Sequence, residues 1–243
     1  MPRRHAFALL NATHVRQQAD HALRIAGLAG LIPLRTLNRA ACAPYHNAYH
    51  ADCLVVQCAE AIRFYAAERS WLDGPALLAA AFFHDFNHTA GEFDDDVNIA
   101  RACDAVQQLL PGAVGDDVSV SVVCDLIRPT RYPFAPTDPE CIEARVLRDA
   151  DLMQVLERVE TVRQAQYDGL RVEVARRQGQ ELTRPAFAEG MRAWWQVHTR
   201  WLSAWGVQRA TALRFEDRCM DTAASLERGY HPREGIHAAA GAR

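Results

Sequence analysis

The sequence predicts an all-α protein. Three observations carry that expectation. Apolar residues recur at three- and four-residue spacing through most of the chain, helix-start signatures stand ahead of several of those runs, and only one window alternates with the period of a strand.

Taken in order, positions 4–28 carry Phe7, Leu10, Val15, Ala19 and Leu23 at helical spacing. Positions 32–46 are broken by Pro33 and Pro44 and read as an irregular connection. From 47 to about 69, Leu54, Cys58, Ile62 and Tyr65 form a one-sided stripe. Asp73-Gly74-Pro75 is a helix start, because Asp caps and Pro is tolerated in a first turn. The run that follows, to Phe83, is apolar all round, which predicts a helix buried on every side. Asp94, Asp95 and Asp96 suit the dipole of the next helix, running to about 110, and read as a solvated helix start. Positions 115–127 contain Val-Ser-Val-Ser-Val and fit either helix or strand; their neighbours favour helix. A loop with three prolines spans 128–138, and Asp138-Pro139-Glu140 restarts a helix. Long helical patterns cover 140–178 and 184–206, the second carrying Trp194, Trp195, Trp201 and Trp205, and a last helix is expected over 208–228. One helical domain over 1–230 is expected, with 231–243 as a flexible tail.

Composition excludes several classes. With 243 residues, 49% hydrophobic and 23% charged, the chain buries a core without staples. A net charge of -3 without a basic run gives no footprint for a nucleic-acid polymer or an anionic membrane. Seven cysteines, an odd number with no C-x-x-C pair, fit a reducing compartment. The N-terminal segment lacks the apolar stretch of a signal peptide, and the run from Pro75 to Phe83 is too short to span a bilayer. A cytoplasmic location is the expectation.

The chemistry concentrates in His and Asp. Four of the ten histidines form two pairs at i, i+4 spacing, His46/His50 and His84/His88, which on a helix share a face. Asp85 follows His84 at the end of the all-apolar helix, so that helix delivers several polar groups to the interior at one place. Left uncompensated they would cost several kcal/mol, and a bound cation is an efficient partner. Asp149 and Asp151 place two more carboxylates in another partly apolar helical stretch. Two His and two Asp make a nitrogen and oxygen donor set suited to a divalent ion with open water positions, such as Mn, Fe, Zn, Ni or Mg.

His50, His84-Asp85 and Asp151, in that order, resemble the H…HD…D signature of the HD superfamily of metal-dependent phosphohydrolases, with Asp149 as the alternative to Asp151, which its Ala-Asp-Leu context favours. Tyr45-His46-Asn47-Ala48-Tyr49-His50-Ala51 and His84-Asp85-Phe86-Asn87-His88-Thr89-Ala90-Gly91 resemble the two His motifs of its cyclic-nucleotide phosphodiesterase branch. The resemblance covers about residues 40–155. It implies that His50, His84, Asp85 and Asp151 hold a tight divalent metal. It also implies that Asp85 bridges to a second, looser ion, that His46 is the general acid, and that His88 orients a ligand or water. The pattern departs from the family at Thr89, where the motif has Pro, and at Asn98, where an acidic residue would hold water on the second ion, a role that nearby Asp94 to Asp96 could take instead. Gln154, Phe187 and Trp194 are the candidates for contacting a base, and Arg128 and Arg131 could reach a phosphate if their loop is not simply solvated.

The implied activity is hydrolysis of a small phosphoester or phosphodiester, with a 3′,5′-cyclic nucleotide as first candidate. Nucleotidase or nucleoside-triphosphate hydrolysis is the alternative. A di-iron oxygenase of the same fold would need further histidines between the HD pair and the last Asp, and none occurs between His88 and His198. A non-catalytic ligand-binding module is disfavoured by the intact donor set and by His46. Oligomeric state is not readable from these residues.

Overall fold

The computed structural model describes residues 2–153, 160–198 and 200–228, and every element among them is helical. The helices are α1 (Pro2–Ile25), α2 (Ala48–Ala67), α3 (Gly74–Phe83), α4 (Asp95–Val114), α5 (Val120–Ile127), α6 (Ile142–Leu152), α7 (Glu160–Gln178), α8 (Arg184–His198), α9 (Ala204–Ala212) and α10 (Phe215–Glu227). The expected flexible tail lies outside the described residues, as does Gln154.

Helix α3 is the axis of the fold. From Ala76 to Phe83 every residue is buried, and the helix touches α2, α4, α5 and α6. Asp73 starts it as the sequence indicates: its Oδ1 accepts the amide of Ala76 at 3.0 Å, and Pro75 occupies the first turn. Each Leu or Phe side chain buried along α3 contributes about 1.5–3 kcal/mol, and this holds the helix at the centre with its C-terminal end aimed at the interior. Helix α2 lies between α1 and α3 and also meets α6. These contacts bring the N-terminal end of α2 and the C-terminal ends of α3 and α6 together.

Several expectations change in detail. The ambiguous stretch is helix α5, whose Val123, Cys124, Leu126 and Ile127 are buried; a 3.6-residue stripe wins over the alternation. The connection at 32–46 is tighter than irregular, with 3-10 turns at Ala29–Leu37 and Arg39–Cys42. The stretch 140–178 holds two described helices, α6 and α7. The pattern over 184–206 is also not one helix. Ser203 is extended, its hydroxyl accepts the amide of Gly206 at 2.9 Å, and that cap begins α9 with Trp205 inside it.

Leu77 is completely buried at the middle of α3. Leu77→Ala is expected to destabilise the protein by about 2–5 kcal/mol, read as a lower midpoint of urea unfolding with an unchanged slope; a loss under 1 kcal/mol would mean that α3 is not the packing axis.

Candidate metal centre

Asn47 decides how α2 begins. Its side-chain oxygen accepts the amides of Tyr49 and His50 at 3.0 and 3.1 Å, so His50 lies in the first turn while His46 stands before the cap. The His46/His50 pair therefore does not share a helix face. The second pair behaves alike, because α3 ends at Phe83 and Asn87 and Ala90 take positive φ of 62° and 53°. His84 and His88 sit on a turn rather than a helix. What results is a cross-pairing, with the His46 and His88 rings 3.7 Å apart at 30°. Asn38 and Asn87 sew the two segments together: Asn38 Oδ1 accepts the Asn87 amide, and Asn87 Oδ1 accepts the Arg39 amide, both at 2.9 Å.

Four predicted donors converge. His50 Nε2 lies 3.2 Å from Asp85 Oδ2, 3.1 Å from Asp151 Oδ1 and 3.3 Å from His84 Nε2. His84 Nε2 lies 2.8 Å from Asp85 Oδ2 and 3.9 Å from Asp151 Oδ1. An ion with bonds of about 2.1 Å places neighbouring ligands about 3.0 Å apart, close to the separations among His50, His84 and Asp85.

The protons also fit a cation. The carbonyl of Ala81 lies 3.0 Å from His84 Nδ1 and accepts its N–H, which leaves the Nε2 lone pair facing the cluster. Asp85 Oδ2 is buried and makes no hydrogen bond, although two imidazole nitrogens crowd it. Ring nitrogens crowding a carboxylate oxygen at that distance call for a proton or a cation between them. Burial opposes charge on Asp85, but His84, His46 and His50 outweigh it and hold its carboxyl well below the ordinary range. Burial likewise opposes a charged His50, yet Asp151 and Asp85 raise it to about 10. Asp151 is lowered against its burial by the hydrogen bond and charge of His50.

His46, Asp85 and His88 also bring donor atoms within 4.8 Å of one another. His88 does not suit a metal there. Its Nδ1 accepts the amide of Ala90 at 3.0 Å, so a neutral ring carries its proton on Nε2. Burial, reinforced by His46, lowers His88 to about 3, which keeps it neutral. It is a hydrogen-bond donor, facing Asp95 Oδ1 at 4.0 Å.

Two carboxylates near this rim stand out in the fold: Glu173 is not picked out by the sequence, and Asp95 reads there mainly as part of a solvated helix start. Glu173 of α7 is buried and far along the chain; its Oε1 accepts the amides of Tyr45 and His46 at 2.7 and 3.2 Å, and its Oε2 meets His46 Nδ1 at 2.5 Å. Gly169 lets α7 approach, since a Cβ there would fall 2.1 Å from the carbonyl oxygen of Pro44. Asp95 is not merely solvated. It is partly buried, accepts the amide of Tyr132 at 2.6 Å and holds Asn98, whereas Asp94 and Asp96 pair with Arg177 and Arg131. Arg131 and Arg128 are thus tied to Asp96 and Asp125, Phe187 lies in the core, and Trp194 rests beside Tyr132. Asp149 points away from the cluster and accepts hydrogen bonds from Leu202 and Ser203; burial pushes it up to about 6 despite them.

No family model and no curated protein matches the chain. In fold it is similar to a solved structure. That neighbour is the phosphodiesterase domain of the RhoPDE fusion protein from the choanoflagellate Salpingoeca rosetta, with a TM-score of 0.62 and 16% identity, covering 92% of this chain and 90% of that one.

Burial disfavours charge on His46, but Asp85 and the hydrogen bond to Glu173 raise it above its ordinary 6.5, while His46 in turn lowers Glu173. In the cation-free protein the Glu173→Gln variant is expected to release the His46 proton at lower pH than wild type, followed by NMR of the ring protons. An unchanged midpoint would show that Glu173 does not hold that proton.

Proposed function

We propose that the chain is a divalent-cation-dependent phosphohydrolase acting on a small phosphoester or phosphodiester, with a 3′,5′-cyclic nucleotide as first candidate. The observation that carries this is the convergence of His50, His84, Asp85 and Asp151 on one point beside the His46–Glu173 pair. The fold of a protein described as a phosphodiesterase domain supports it.

In this reading His50, His84, Asp85 and Asp151 hold the tight cation, and Asp85 also faces a second one. Bound divalent cations supply Lewis acidity that lowers the pKa of water and neutralises phosphoryl oxygens. The mixed imidazole and carboxylate set suits Mn, Fe, Zn, Ni or Mg.

The chain's own residues do the rest. Glu173 accepts from His46 Nδ1–H, which turns Nε2 outward with its proton. As water oxygen bonds to phosphorus and the ester P–O bond breaks, that proton passes to the leaving oxygen. The pairing with Glu173 and the charge of Asp85 favour the protonated ring, and activity is expected to fall as pH rises through the raised value. His88, a neutral donor stacked on His46, keeps that ring in place and directs its Nε2–H toward water or a phosphoryl oxygen.

The test is a panel of cyclic nucleotides, mononucleotides and nucleoside triphosphates with Mn²⁺, Mg²⁺, Fe²⁺, Ni²⁺ and Zn²⁺. Phosphate release from mononucleotides or triphosphates with cyclic ones left intact would select the nucleotidase or triphosphatase alternative. No turnover with any pair would sink the hydrolase reading. His46→Ala is expected to keep its metal and lose about 10²–10⁴-fold in kcat; metal loss in step with activity would overturn the role of His46. Asp85→Ala is expected to lose bound metal, and a full complement in that variant would break the coordination scheme.

A further inference from the structure

Asp149 is completely buried, yet it takes no part in the cluster two residues away. Residues i and i+2 of an α-helix point about 200° apart, so Asp149 leaves the back of α6 as Asp151 leaves the front. Its carboxylate accepts the amide of Leu202 at 3.0 and 3.1 Å, the amide of Ser203 at 2.8 Å and the hydroxyl of Ser203 at 2.6 Å. The same Ser203 hydroxyl caps α9 through Gly206, and the next amide, Ala204, donates to the Tyr65 hydroxyl of α2 at 3.2 Å. Gly206 has no alternative: a Cβ there would fall 2.2 Å from Asp149 Oδ2. The first turn of α9 is therefore built around one carboxylate and is also tied to α2, so α9 braces the two helices that carry His50 and Asp151.

We infer that Asp149 is a positioning residue for the cation site, anchoring the last turn of α6 from behind so that Asp151 meets His50. This rests on the functional reading above, in which Asp151 is a ligand. A ligand shell is sensitive to the groups that orient it, and removing such a group typically weakens metal affinity by 10–100-fold. The anchor is a buried charge bound by three donors, and an amide in its place puts an N–H against another N–H.

The experiment titrates Mn²⁺ into the full chain and into Asp149→Asn, Gly206→Ala and Thr211→Ala, each verified as folded by circular dichroism and studied well below its melting temperature. Gly206→Ala displaces the carboxylate without changing its charge, and Thr211, exposed farther along α9, is the control. The expected result is Mn²⁺ binding weaker by about tenfold or more in the first two variants, unchanged binding in the third, and turnover recovered when Mn²⁺ is raised to saturation. Mn²⁺ affinity equal to wild type in the folded variants would overturn the inference while leaving the functional reading intact. Should Asp149→Asn fail to fold, Gly206→Ala decides by the same criterion. A wild-type chain that binds no divalent cation removes the functional reading, and this inference with it.

Discussion

Everything at the centre of this molecule follows from holding two imidazoles and two carboxylates together where water has little access. His50 and His84 are almost fully buried, and Asp85 presents an oxygen with no hydrogen bond. Desolvating such groups costs several kcal/mol each unless charge is balanced locally. The surrounding helices therefore have to supply donor atoms at close, fixed separations rather than merely a hydrophobic core. Helix α3 makes this feasible because it has no polar face to satisfy. Packed on all sides, it ends where the lone pair of His84 and the carboxylate of Asp85 are needed.

The wall around that point is assembled from distant parts of the chain. The reciprocal Asn38–Asn87 bonds join the segment before His46 to the turn after Asp85, and Glu173 ties α7 to the backbone at Tyr45 and His46. Gly169 and Gly91 permit backbone-close contact on either side of this helix. A Cβ on Gly91 would strike the Glu173 carbonyl at 2.2 Å, and its φ of +87° disfavours other residues independently. Proton placement depends on this scaffold. The positive-φ turn at Ala90 aims an amide at His88 Nδ1, and Glu173 claims His46 Nδ1, so two stacked histidines are shifted in opposite directions.

How much of this was legible in the residues depended on range. The cap at Asp73, the all-apolar run after it and the His and Asp donors are local signals, and their convergence on a buried point was readable. The i, i+4 spacing of the histidine pairs was a misleading local signal. Asn47 stands where the helical stripe begins, and its bonds to the amides of Tyr49 and His50 make it the N-cap that leaves His46 outside α2. Asp95 reads as one of three equivalent acids, and only the fold shows that Arg177 and Arg131 claim its neighbours. Glu173 carries no local mark at all. It is one acid on a helix mostly polar in composition, and its partner lies 127 residues earlier.

Asp85 and Asp149 show why residue type alone does not announce a candidate metal ligand. Both are carboxylates carried into the interior near a helix C-terminus. Asp149 meets two backbone amides and a hydroxyl at the start of α9, and these oriented dipoles balance its charge, so it has no need of a cation. Asp85 meets imidazole nitrogens, one of which has already committed its proton to Ala81. The buried oxygen of Asp85 is faced by ring nitrogens alone. The same physics that makes the first carboxylate a structural anchor leaves the second requiring positive charge, and that difference is set by what the opposing element offers.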